Sequence, residues 1–283
     1  MNPPRWTLGL FVAVLLAPSA SAYADDAEVH FRKCLSHKRA GKLTDARSEC
    51  EAAVAKRPTH AAAYYTLGTL QHAQGQLDLA LSSFRKCREL EPKSATGWAG
   101  EGAMLLRMGQ YPQAEEALRR AVLLDPKDAA SVGNLGSALR KQKKTEEAIS
   151  VYRQALERMP ESAEVLNNLG VALRSQRRNK EAIAVLTKAL QLTPDDPALS
   201  GNLAKALRAE KRYGEAIRYY EAAIKGAPRD PGLWFDLAYC REQTGQADKA
   251  LTAYRKHLEL IGGPTGAGAE RVQERIKKLE TGG

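Results

Sequence analysis

Residues 61–94, AAAYYTLGTLQHAQGQLDLALSSFRKCRELEPKS, are followed by residues 95–128, ATGWAGEGAMLLRMGQYPQAEEALRRAVLLDPKD, and the two align end to end without a gap. The spacing of 34 continues outward: Gly68, Gly102, Gly136 and Gly170 are in register, as are Ala46, Ala80, Ala114, Ala148, Ala182, Ala216 and Ala250, and Pro58, Pro92, Pro126, Pro160, Pro194 and Pro228. Seven copies fit in this way. A fixed period in this range marks a solenoid, whose copies bury a continuous ribbon of contacts between neighbours. Such a fold presents a long surface and no enclosed pocket, so the sequence points to a protein that holds other proteins and is not an enzyme.

Within a copy, the residues of 61–94 serve as positions 1 to 34. Positions 4, 7, 8 and 11 (Tyr64, Leu67, Gly68, Gln71) share one helical stripe, and positions 20, 24 and 27 (Ala80, Phe84, Cys87) share a second. Each copy therefore reads as two antiparallel helices. Small residues at 8 and 20 let the backbones approach, and bulky ones around them fill the space. Proline at 32 stops the second helix, and Pro197 and Pro231 suit a first helical turn.

The order aromatic, Leu, Gly, Ala, aromatic, Ala, Pro, with Trp98 and Trp234 at position 4 and Tyr152, Tyr220 and Tyr254 at position 24, resembles the tetratricopeptide repeat (TPR) family from Ala27 to Pro264. That resemblance implies an all-α fold: a right-handed superhelical solenoid of seven helix pairs over residues 27–60, 61–94, 95–128, 129–162, 163–196, 197–230 and 231–264, with a concave groove lined by the first helices. His30, Lys33 and Cys34 break the pattern in the first copy, as expected of an end repeat. After Gly262, Gly263 and Pro264, the residues Val272, Ile276 and Leu279 form one apolar stripe, so residues 265–283 are expected to hold a C-terminal capping helix and tail.

Residues 1–24 read as a secretory signal. Arg5 opens it, the apolar run Leu8 to Ala17 is short for a bilayer, and Ala22, Tyr23 and Ala24 form a small-x-small cleavage pattern before Asp25. An uncleaved anchor is the competing reading. Neither a twin-arginine nor a lipid-modification signal is present. The Ala- and Arg-rich composition points to a bacterium, and so to the periplasm, with no membrane span after cleavage. A net charge of +10 favours acidic or polyanionic partners. Nucleic acid is disfavoured by the export signal and by the lack of interleaved aromatics.

Two columns stand out in copies four to six. Asn134, Asn168 and Asn202 occupy position 6, which faces the groove on a helical wheel. A side-chain amide both donates to and accepts from a peptide backbone, so three in a row suit an extended chain. The Asn-Leu-Gly context is similar to the asparagine ladder in the TPR region of O-GlcNAc transferase; the plainer reading is that Asn is common at this position in such repeats. Arg140, Arg174 and Arg208 occupy position 12, about 120° round the helix, with Lys143, Lys144, Arg177, Arg178, Lys211 and Arg212 in the following turn. They read either as ligand contacts or as cations opposing the helix dipole. Together these columns predict a groove that holds an extended or acidic protein segment. The alternative partner is an anionic glycan or envelope polymer, bound by the basic turns. Tyr65, Phe235 and Tyr239 are candidate apolar contacts.

The carboxylate clamp of chaperone-binding TPR proteins would need basic and amide residues at positions 5 and 9 of one copy, 6 of the next, and 2 and 6 of a third. No three consecutive copies meet this. Cys34 and Cys50 fall at positions 8 and 24 of the first copy, where a disulfide, a metal site with His30 and His37, or two buried thiols are the readings open. The disulfide is the expected one; no metal or other cofactor is expected. Cys87 and Cys240 read as unpaired packing residues. His60, His72 and His257 are scattered, and no phosphate-binding loop, haem attachment motif or nucleophile motif occurs.

Overall fold

The computed structural model describes residues 20–263, 265 and 268–281. The expected signal segment lies outside the described residues up to residue 19. From Ala20 the chain is helical, so the expected cleavage point after Ala24 falls within the first helix. The break at Pro264 also lies outside the described residues.

Among the described residues there are fifteen α-helices and no strand. They are α1 (Ala20–Arg39), α2 (Leu43–Lys56), α3 (Ala61–Ala73), α4 (Leu77–Leu90), α5 (Ala95–Arg107), α6 (Tyr111–Leu124), α7 (Ala129–Lys141), α8 (Thr145–Arg158), α9 (Ala163–Ser175), α10 (Asn179–Leu192), α11 (Pro197–Ala209), α12 (Tyr213–Gly226), α13 (Pro231–Gln243), α14 (Ala247–Leu260) and α15 (Ala269–Glu280). From α3 to α14, first helices fill positions 1–13 and second helices positions 17–30. Seven pairs and a final cap result.

The chain forms two compact bodies, Met1–Gly100 and Glu101–Gly283. In the first, α1 packs on α2, α2 on α3, and α3 on α4. Phe84 fills the gap at Gly68, where an added Cβ would stand 2.9 Å from its ring. Positions 8 and 24 meet the same way in the second body: an added Cβ would lie 2.5 Å from Leu118 at Gly102, 2.1 Å from Tyr152 at Gly136 and 2.5 Å from Leu186 at Gly170. In these four copies a Cβ could not be added without a shift of the facing side chain; copies six and seven carry Ala204 and Ala238 at the same position. The alanine column at position 20 is fully buried in all seven copies.

Each pair turns through the same device. The residue at position 15 donates its N–H to the carbonyl at 12, and the residue at 16 to the carbonyl at 11, as in Lys143 N to Arg140 O (3.0 Å) and Lys144 N to Leu139 O (2.9 Å). This is the Schellman motif, and it needs a left-handed residue at position 15. Gly41, Gly75, Gly109 and Gly245 supply it at φ of 71° to 76°. In copies four to six, Lys143 (φ 64°), Arg177 (59°) and Lys211 (59°) adopt it instead.

Side-chain oxygens of Asp128, Ser162, Asp196 and Asp230 accept from the first free N–H groups of α7, α9, α11 and α13, satisfying donors that have no partner inside the helix. Trp98 and Trp234 donate Nε1–H to the carbonyls of Pro92 and Pro228 at 3.0 and 2.9 Å, tying the first helix to the preceding proline turn. At the far end, Val272, Ile276 and Leu279 of α15 pack on Ala253, Tyr254 and Leu258 of α14.

Candidate functional site

Helices α7, α9, α11 and α13 lie side by side in the second body, so their equivalent positions form columns. In the asparagine column all three residues are half-buried. Asn202 donates to Asn167 Oδ1 at 2.8 Å, linking α11 to position 5 of α9. Asn168 lies across Gly133, also position 5, where an added Cβ would come 2.9 Å from Nδ2. Asn168 and Asn202 thus rest on the previous first helix. Asn134 and Asn168 have no hydrogen-bond partner among the described residues, which leaves their amides open to a ligand.

The column ends at Asp236, the position 6 residue of α13. Tyr220 Oη donates to its Oδ2 at 3.2 Å, and Arg208 Nη2 stands 3.5 Å from Oδ1. Burial pushes the Asp236 carboxyl above the usual carboxylate range, against the pull of Arg208, Tyr220, Lys205 and Arg174.

The arginine column is used unevenly. Arg140 stands beside the buried Tyr152 hydroxyl, which burial pushes up and Arg140 pulls down, and which donates to the Gly133 carbonyl at 3.4 Å. Arg208 is held by Asp236, with its guanidinium carbon 5.8 Å from the Tyr239 ring centroid. Arg174 sits between them. Position 24 of its copy is Leu186, so no phenol meets it, its Nε is buried without a hydrogen-bond partner, and it makes no ion pair among the described residues. It is the cation of this column that meets neither a phenol nor a carboxylate within ion-pair distance among the described residues.

In the last copy the column changes sign, with Glu242 at position 12. Arg275 of the cap meets both its carboxylate oxygens at 2.8 Å, Tyr254 donates to Oε2 at 2.5 Å, and burial raises the Tyr254 phenol. Arg275 also stacks 5.1 Å from the Tyr239 centroid, and Tyr213 meets the same ring edge-on at 5.9 Å. Tyr239 is therefore enclosed by side chains of α11, α12 and α15. Phe235 packs on Tyr254 and His257, while Tyr65, in the first body, packs on Phe84. Asp236 and Arg275 are the site residues that column reading missed. The acid in the asparagine column, followed by the acid in the arginine column, is the signal that marks the end of the ladder.

In the first body, Cys34 and Cys50 are joined by a disulfide, with Cα atoms 5.3 Å apart. It occupies the position 8 and 24 contact that Gly or Ala and an aromatic or Leu fill in later copies. With both sulfurs so used, the thiolates a metal would need are absent, and His30 instead meets Glu49 at 2.6 Å, holding that carboxyl below its usual range. Cys87 and Cys240 are buried free thiols, the latter pushed up to about 12 by burial. No helix among the described residues is long and apolar enough to cross a membrane.

Comparison with known proteins adds three findings. Residues 11–231 match the family model described as cilia and flagella-associated protein 70 C-terminal domain, and residues 202–267 match one described as tetratricopeptide repeat. No match was found among curated protein sequences. Similar solved structures include one described as functional characterization of Pseudomonas aeruginosa PilF (24% identity, 76% of this chain and 97% of that one, TM-score 0.67), a tetratricopeptide repeat protein from Parabacteroides merdae (17%, 90% and 99%, TM-score 0.65) and the APC/C hetero-tetramer Cut9–Hcn1 (18%, 91% and 52%, TM-score 0.70).

Proposed function

The chain belongs to the tetratricopeptide-repeat proteins of the cilia and flagella-associated protein 70 C-terminal domain family, a protein–protein interaction scaffold, and from that premise we propose that it captures an extended, acidic segment of a partner along α7, α9 and α11. The observation that carries this reading is the pair of open amides, Asn134 and Asn168, on adjacent helices, one of which also carries Arg174, a cation with no ion pair among the described residues. An extended backbone presents alternating donors and acceptors that such amides meet without reading side chains, and the arginine supplies the charge preference.

The test is affinity capture from host extract with the parent chain, then titration of the purified partner against the parent and against Asn134→Ala/Asn168→Ala/Asn202→Ala. The expected result is a loss of at least tenfold in affinity with helicity and melting unchanged. Affinity that survives the triple change rejects the ladder. The net charge of +10 favours a second reading, an anionic glycan or envelope polymer. Capture of carbohydrate alone, released by moderate salt, selects that second reading.

The proposed compartment is the periplasm. Cleavage after Ala24 goes with this proposal, and the Cys34–Cys50 disulfide suits an oxidising compartment. Cell fractionation with intact-mass measurement checks both points; a cytoplasmic product that retains residues 1–24 overturns them.

A further inference from the structure

Position 15 carries an internal control. Seven Schellman turns require the left-handed conformation there; four use glycine, and copies four, five and six use Lys143, Arg177 and Lys211. A non-glycine residue in this region is strained by its Cβ. The helix dipole does not call for that strain, because Arg140, Lys141, Arg174 and Arg208 already place cations in the last turns of α7, α9 and α11. Internal ion pairing does not call for it either. The residues at position 16 are the paired ones: Lys144 with Glu115 at 2.9 Å, Arg178 with Glu181 at 2.8 Å, and Arg212 with Glu215 at 2.6 Å. Lys143, Arg177 and Lys211 are exposed and make no ion pair among the described residues. The strained cations fall in the same three copies as the asparagine column.

We infer that these three side chains form a reading row for an acidic polypeptide in the polyproline II conformation with a carboxylate at every third residue, which rests on the partner class proposed above and names its chemistry. Side-by-side helices set equivalent positions roughly 10 Å apart. A polyproline II segment has three residues per turn and advances about 9 Å per turn, so every third side chain returns to the same face in step with the row. A β-strand does not match: its residues i and i+3 point to opposite faces.

The probe is a fluorescent (Glu-Pro-Pro)4 peptide, compared with an isomer of equal composition whose four glutamates are contiguous, and with a heparin fragment. Binding is measured on the full chain by anisotropy. The test variant is Lys143→Gly/Arg177→Gly/Lys211→Gly, which gives these turns the residue used in the other four copies, so its melting temperature is expected to hold or rise. The expected result is that the spaced peptide loses at least tenfold in affinity in this variant and that the contiguous isomer binds the parent at least fivefold more weakly. Equal binding of the two isomers, unchanged affinity in the glycine variant, or no binding of the spaced peptide overturns the inference. Heparin binding that the glycine variant loses, without peptide binding, overturns it in favour of a glycan. Asn134→Ala/Asn168→Ala/Asn202→Ala, titrated in parallel, separates the two readings: loss there with no loss in the glycine variant leaves the groove standing and removes the row.

Discussion

At the scale of single residues, glycines that look interchangeable in the repeat have opposite functions. Gly136 lies under the Tyr152 ring, where an added Cβ would come to 2.1 Å, so Gly136→Ala is expected to cost about 1–3 kcal/mol through overpacking. Gly201 is also in a first helix, but the nearest atoms to an added Cβ are at 3.6 Å, an ordinary contact. Gly201→Ala is therefore expected to stabilise by roughly 0.5–1 kcal/mol, the helix-interior penalty of glycine. Urea unfolding of the two variants checks the contrast; equal signs reject it. Asp236 gives a pH dependence at the same scale. Its folded-state value is raised by burial, so its contribution to stability is fully present below the ordinary carboxylate value and is lost as pH rises through the raised one. Asp236→Asn does not titrate, so its stability relative to the parent should rise from acid to neutral pH. The opposite slope in a melting series would show that Arg208, not burial, controls this carboxyl.

Helices and turns show which parts of the architecture could be read from one-dimensional order. Period, pairing and cap were legible because each depends on residue size at a fixed place: small at 8 and 20, proline at 32, an apolar stripe from Val272 to Leu279. The asparagine and arginine columns were legible as columns, but their uneven use was not. Whether an arginine is tied down depends on what stands at position 24, Tyr152, Leu186 or Tyr220, on the following helix. The left-handed turns of copies four to six were hidden for another reason, since Lys and Arg are not residues from which a positive φ is inferred. The cap allows a test at this scale. Val272 is buried against α14, so Val272→Asp places an unpaired charge in that contact and should detach α15. Hydrogen exchange should then quicken in α13 and α14, which lose that cover, and stay unchanged in α7 and α9, because a repeat array transmits stability through nearest neighbours.

Over the whole molecule, the same locality separates what stabilises the chain from what binds the partner. The disulfide lies in the first body, within α1 and α2, whereas the asparagine column, the arginine column and the strained cations all lie in the second. Cys34 and Cys50 are 16 residues apart, and closing a loop of that length contributes about 3 kcal/mol in the chain-entropy model. That stabilisation acts on an end repeat, where Cys34, Ala46 and Cys50 gather with Leu67 and Leu70 in a small core. In a globular domain with one closed core, a loss of this size would lower the stability of every element together. Here the energy is a sum of local terms, so Cys34→Ala/Cys50→Ala is expected to lower the protection of α1 and α2 against hydrogen exchange while leaving affinity for the acidic segment within twofold of the parent. Affinity that fell together with protection of α1 would mean that the two bodies act as one cooperative unit, and the separation of scaffold from site would fail.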